Sequence, residues 1–193
     1  VRLRLAGLLL ALFAGTASAA ELRSVEVDYI DGRYMLDSIV WFDADVENLY
    51  AILTRWDISP RYTSGIAEAE DLPPDSQGRP RFYIRNQGCV LFFCMSMERR
   101  GYVESVPNEF IGAYGDPDFG DFDYSEETWQ FEEAEGGTII HYSFQMEPSF
   151  WVPPAIGPWM IKRTLKRGGA NAVNRIEAIA QAWPNIDDVV LDD

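Results

Sequence analysis

Few side chains in this sequence are equipped for chemistry. His141 is the single histidine, so imidazole-based catalysis would rest on it alone. Alternation along its strand puts Thr138, Ile140, Tyr142, Phe144 and Met146 on one face. His141 goes to the other with Ile139, Ser143 and Gln145, a mostly polar face expected to meet solvent. Asp37 or Tyr34 could do acid–base work in an apolar interior, but no pattern singles either out. No serine nucleophile elbow, phosphate loop or zincin motif is present. Asp116, Asp118, Asp121 and Asp123 crowd an expected loop at 116–123. Their spacing is not that of an EF-hand, so an acidic, solvated turn is the default over a Ca²⁺ site. No metal and no cofactor are expected.

Arg99 breaks an otherwise apolar parity that it shares with Met95 and Met97. A buried guanidinium needs a partner, either a ligand carboxylate or phosphate or an inward-facing acid. The competing and favoured reading is a bulge at Gly101 that turns Arg99 outward. Cys89 and Cys94 are the only cysteines. On one straight strand their Cα atoms would stand roughly 17 Å apart. A disulfide tolerates at most about 7 Å. A bond therefore requires a turn between them, which would present Leu91 and Phe92 at a stapled apolar tip. A single continuous strand with two free thiols is the alternative.

These residues must be positioned by the elements around them. Residues 25–30 and 33–42 read as strands joined by Asp31-Gly32, the dipeptide of a type I′ hairpin. An N-cap at 43–45 opens a short helix carrying Val46, Leu49, Tyr50, Leu53 and Trp56 at helical spacing, with a second helical turn before Gly65. Strands are then expected at 66–72, 81–89, 93–103, 109–114, 126–132 and 138–146, separated by Pro-, Asn- and Gly-bearing turns. A long helix follows at 159–182, with Pro158 suited to its first turn. Leu165, Gly169, Ala172, Val173, Ile176, Ala180 and Trp183 form its buried stripe. One antiparallel sheet curved around this helix lets both bury a face, which makes the class α+β.

Composition and the chain ends add bounds. The sequence holds 16 Lys and Arg against 31 Asp and Glu, a net charge of −15. That excludes a general nucleic-acid footprint and broad adhesion to anionic membranes. Arg2 and Arg4, an apolar run at 5–14 and Ala17-Ser18-Ala19 have the three-part layout of a cleavable secretory signal. The expected organisation is a signal at 1–19, one domain at 20–186 and an acidic tail at 187–193. Export to the periplasm would permit a disulfide.

The element order resembles the START-like superfamily, also called SRPBCC or helix-grip, in its polyketide cyclase/lipid-transport or coenzyme Q-binding branch. The resemblance is carried by Phe42-Asp43-Ala44-Asp45 entering the first helix and Trp129 with Gly137-Thr138 at the last hairpin. It continues through the segment 147–154 and Leu165 with Arg175-Ile176-Glu177 in the final helix. It implies a deep apolar cavity between sheet and C-terminal helix for lipids, sterols, isoprenoids or polyketides. Strand alternation then supplies candidate cavity residues: Phe82, Ile84, Met95, Met97, Phe110, Trp129, Phe131, Ile140, Tyr142, Phe144 and Met146, with Arg99 as a polar candidate. From the helix come Gly169, Ala172 and Val173. Two glycines at 168–169 cost about 1 kcal/mol each against alanine in a helix interior. Either they leave room for a ligand, or they allow close helix–sheet packing or a kink.

Phe150, Trp151 and Ile156 belong to an apolar loop that is either a lid dipping into a bilayer or a cap on the core. Lys162, Arg163, Lys166 and Arg167 fall on one helix face behind it, to meet anionic headgroups or to lie solvated. The expected function is binding an apolar small molecule and carrying or buffering it in the periplasm. A cyclase or hydratase using the same cavity, and an interaction protein presenting the apolar tip, are the alternatives. Expected partners are a hydrophobic ligand and a transient membrane contact, with no nucleic acid, for a chain acting as a monomer.

Overall fold

A computed structural model of the chain describes residues 20–90, 93–134, 136–152 and 157–186. The segment 1–19 expected to be a signal, Leu91, Phe92, Ile156 and the tail 187–193 lie outside the described residues. The elements in order are β1 (Glu21–Ile30), β2 (Arg33–Phe42), α1 (Val46–Leu53), a 3₁₀ turn (Trp56–Ile58), α2 (Ser59–Tyr62), β3 (Ile66–Leu72) and β4 (Arg81–Val90). They continue with β5 (Phe93–Val106), β6 (Phe110–Gly120), β7 (Phe122–Ala134), β8 (Gly137–Pro148) and α3 (Gly157–Ala182). The strands form one eight-stranded sheet in the order β1-β2-β8-β7-β6-β5-β4-β3. Every pairing is antiparallel. Helix α3 packs on β1, β2, α1 and α2. The architecture is the expected α+β helix-grip.

Local chemistry explains the best-predicted turns. Asp31 and Gly32 both have positive φ, 52° and 91°, and Ile30 pairs with Arg33, as a type I′ turn requires. Cys89 and Cys94 are directly opposed in the β4–β5 register.

The acidic stretch 116–123 departs from expectation. It is not a loop: β6 continues to Gly120 and β7 begins at Phe122. Asp121 between them accepts a hydrogen bond from the Glu98 amide at 2.7 Å and donates its own amide to the Glu98 carbonyl at 3.0 Å. Those bonds to β5 hold the turn in the sheet.

The core divides in two. The larger cluster joins α1 and the C-terminal half of α3 to the sheet through residues such as Leu49, Ile52, Phe82, Ile111, Ile176 and Ile179. The smaller cluster contains Tyr34, Phe122 and Met146, with Met97, Phe144, Ile161 and Leu165 packed against it. A buried carboxylate fastens the larger one. Glu177, 6% exposed, accepts the amides of Ala20 at 2.7 Å and Asp43 at 2.8 Å.

Candidate functional site: a buried polar cluster in an apolar interior

The inner face of the sheet is mostly apolar, and Arg99 is its most buried charged side chain among the described residues. A register shift between Arg99 and Gly101 in the β5–β6 pairing shows that the expected bulge exists. It does not turn the side chain outward. A Cβ on Gly101 would lie 1.9 Å from the Tyr114 carbonyl oxygen, and one on Gly120 would lie 2.6 Å from the Glu98 carbonyl oxygen. These glycines let β5 and β6 approach on both sides of the irregularity. Arg99 keeps the inward parity and is only 6% exposed.

Its partners come from β7 and β8. Nη1 donates to Ser125 Oγ at 3.0 Å, and Nη2 donates to the Glu127 carboxylate. The Tyr142 hydroxyl donates to the other Glu127 oxygen at 2.8 Å. The guanidinium also lies 5.2 Å from the ring centroids of Phe82 and of Phe144, within cation–π range. Aromatic contacts extend the wall. Trp56 stacks on Phe82 at 4.4 Å, and Trp129 meets Trp56 at 6.0 Å and Tyr142 at 5.3 Å.

Among the described residues, three buried donor atoms have no hydrogen-bond partner: Arg99 Nε, the Tyr34 hydroxyl and Trp56 Nε1. Leaving a buried donor unpaired costs about 1–3 kcal/mol, more when it is charged. The phenols are donors rather than bases. Burial raises Tyr142 and Tyr62 well above the ordinary phenol range, and the Glu127 carboxylate pushes both further. Burial, then Tyr29, pushes Tyr34 up to about 12. This interior holds the Arg99–Glu127 ion pair, hydroxyls that stay neutral at neutral pH, and aromatic faces. That set can receive an oxygen-bearing group on an otherwise apolar molecule.

Helix α3 leaves space opposite. Gly169 sits on the buried stripe between Leu165, which packs on the smaller cluster, and Ala172, which packs on the larger. Among the described residues, a Cβ at Gly168 or Gly169 would meet nothing within 4 Å. Close helix–sheet packing therefore does not explain these glycines.

The inward set is largely as expected. Phe82, Ile84, Trp129, Ile140, Met146 and Val173 are buried. Met97, Phe131, Tyr142, Phe144 and Ala172 are partly buried against the two clusters. Two assignments are corrected. Met95 is 42% exposed, since its register partner is Gly88, near the hairpin end and past the core. Phe110 is on the outer face. Ile111 and Ala113 are the fully buried side chains of β6 in the core, and Ile111 is opposite the inward Trp129. Phe110 and Tyr114 instead flank Gly112.

Of the lid and membrane residues, Phe150 is half-buried and Trp151 is 78% exposed. Lys162 is 3.8 Å from Asp28, and Arg163, Lys166 and Arg167 are exposed. His141 is exposed on the outer face, 3.6 Å from Glu132. Beside it runs an open groove of about 410 Å³ lined by polar residues including Ser24, Glu26, Asp37, Thr128 and Gln130. It lies on the side of the sheet away from Arg99.

Glu127, Ser125, Trp56 and Tyr62 were not anticipated as site residues. Glu127 had a signal: it shares parity with Trp129 and Phe131, the inward residues of its strand.

The sequence profile of the family described as polyketide cyclase / dehydrase and lipid transport matches residues 42–173, more than half of the chain. The protein belongs to this family. No curated protein matches it in sequence. Among solved structures, a START superfamily protein from Mycobacterium smegmatis is 17% identical with a TM-score of 0.59, covering 76% of this chain and 97% of its own. A STAR-related lipid transfer protein from Xanthomonas axonopodis is 12% identical with a TM-score of 0.58, covering 82% and 99%. An aromatase/cyclase from a Streptomyces is 12% identical with a TM-score of 0.60, also covering 82% and 99%. At such identities these likenesses establish the fold, and family membership points to hydrophobic-ligand binding or transport, or to cyclase chemistry.

Proposed function

We propose that the protein holds an amphipathic small molecule, apolar along its body and bearing an oxygen acceptor, between the sheet and α3, and carries it in the periplasm. The observation that carries this reading is the orphaned Nε–H of Arg99, a buried charged donor in an aromatic wall. A ligand carbonyl, carboxylate or phosphate oxygen would satisfy it. The empty space beside Gly168 and Gly169 gives the apolar body a place to lie. Burial supplies affinity at roughly 25 cal/mol per Å² of apolar surface.

Native mass spectrometry of the protein purified from its own host tests this. A retained lipid-like mass is expected, and it should be lost from the Arg99→Met, Glu127→Leu double variant. An empty protein from host membrane-rich extract would sink the carrier reading.

A cyclase or hydratase reading draws on the Tyr142–Glu127–Arg99 chain, since a neutral phenol that exchanged its Glu127 acceptor for a substrate carbonyl would polarise that carbonyl. Turnover of a polyketide-like substrate by the unliganded protein, lost in Tyr142→Phe, would favour it. The periplasmic setting also predicts a Cys89–Cys94 bond, for which the opposed register is suitable. Intact mass before and after denaturing alkylation, without reductant, reads it out: two added alkyl groups would refute the bond.

A further inference from the structure

We propose that the outer face of the N-terminal half of α3 docks the protein on an anionic lipid bilayer. Trp159, Lys162, Arg163, Lys166 and Arg167 occupy successive i, i+3, i+4, i+7 and i+8 positions, one stripe of the helix. The opposite side of the same turns carries Ile161 and Leu165, packed on the Tyr34–Phe122–Met146 cluster. The stripe is therefore held outward by the core. Trp159 is 59% exposed, and Trp151, shortly before the helix, is 78% exposed. The Arg163 guanidinium lies 5.5 Å from the Trp159 ring centroid.

The electrostatics of the stripe are unusual for this chain. The protein carries −15 overall, yet among the described residues Lys162 is the only one of the four cations in an ion pair, with Asp28 at 3.8 Å. Among the described residues, Arg163, Lys166 and Arg167 form no ion pair, despite the acidic excess around them. An external anionic surface would supply the counter-charge that these three cations lack.

Exposed Trp159 beside the cations, with exposed Trp151 shortly before it in the chain, favours a bilayer over a nucleic acid or an acidic protein. Indole rings partition to the headgroup level, where cations pair with anionic lipid. The net negative charge elsewhere would repel the rest of the molecule from such a surface, leaving this face as the one that approaches. The choice of a bilayer rests on the lipid-carrier reading above. The surface itself does not require a bound ligand.

The test is co-sedimentation of the ligand-free protein with vesicles of phosphatidylglycerol and phosphatidylcholine in equal parts, and with vesicles of phosphatidylcholine alone. Binding to the anionic vesicles only is expected, weakening as salt rises. Arg163→Gln, Lys166→Gln, Arg167→Gln should lower the partition coefficient by about 100-fold, since each cation near a charged surface contributes about fivefold. These positions are exposed, and unchanged circular dichroism would show that the fold is kept. Trp151→Ala, Trp159→Ala should weaken binding while leaving its salt dependence.

Equal binding to both vesicle types, no binding, or a triple variant that binds like the parent would overturn the proposal. So would retention on immobilised polyglutamate without vesicle binding, which would point to an acidic protein partner. Vesicle binding by a protein that retains no lipid would count against carriage and leave docking standing. Retained lipid without vesicle binding would do the reverse.

Discussion

The two halves of α3 are built for different purposes. The C-terminal half is fastened: Val173, Ile176, Ile179 and Ala180 are buried. Glu177 ties two separate backbone amides, Asn48 Nδ2 donates to the Ala180 carbonyl at 3.1 Å, and Gln181 Nε2 donates to the Asp43 carbonyl at 2.9 Å. Among the described residues, the N-terminal half has Ile161 and Leu165 packed on the smaller cluster, two glycines facing open space, and a cationic outer stripe. One helix thus combines an anchor with a loosely held segment over the polar cluster. Local stability follows apolar burial and satisfied hydrogen bonds, so opening toward a ligand is expected at the N-terminal half.

The largest effect should come from the floor under the loose half. Arg99→Met strands the Glu127 carboxylate and should cost about 3–5 kcal/mol in urea denaturation. The double change Arg99→Met, Glu127→Leu should recover most of that stability, because breaking a buried pair costs more than replacing it. A double variant as unstable as the single one would show that the pair holds the fold rather than waiting for a ligand.

On the anchored half, Glu177→Ala should cost about 3 kcal/mol, as two charge-assisted bonds to buried amides are lost. Hydrogen exchange should then speed in α1 and β1 as well as in α3. Exchange that rose only in residues 157–170 would contradict the division of the helix.

Gly169→Ala sharpens the comparison with the opposite sign. With nothing within 4 Å of its Cβ, it should stabilise by about 1 kcal/mol through helix propensity. Gly169→Leu should fill the space and lower ligand retention. A loss of stability in the alanine variant would mean that the helix is closer to the sheet than described.

The smallest effect concerns Tyr34. Tyr34→Phe removes an orphaned buried hydroxyl and should leave stability near neutral pH unchanged or slightly raised. Because folding raises this phenol to about 12 from an ordinary value near 10, its contribution is fully present below pH 10. It is lost as pH rises through about 12. The urea midpoint should therefore fall over that window, and less steeply in Tyr34→Phe. Parallel curves for the two proteins would rule Tyr34 out as a contributor.

Much of this was legible in the sequence because local patterns carry it. Asp31-Gly32 demands its turn by chirality alone. Alternation at 138–146 placed Tyr142, Phe144 and Met146 inward and His141 outward, since a strand has only two faces. Alternation failed at Phe110, where apolar residues occupy both parities: Ile111 and Ala113 entered the core. The outer parity formed its own aromatic surface, with Tyr114 stacked on Tyr102 at 5.2 Å. It failed again at 116–123, where aspartates that read as a turn are held in strands and in bonds to β5.

By itself the sequence determined the element order, the fold class, the acidic balance and the cationic helix face, because composition and periodicity are local properties. The tertiary structure decided what Arg99 does. A guanidinium on an inward parity could have been rotated away by the bulge beside it. Only the β5–β6–β7–β8 register brings Ser125, Glu127 and Tyr142 around it. Only the position of α3 relative to the sheet decides that the space beside Gly169 stays open. Both depend on residues far apart in the chain meeting at ångström separations, which spacing along one strand or one helix does not encode.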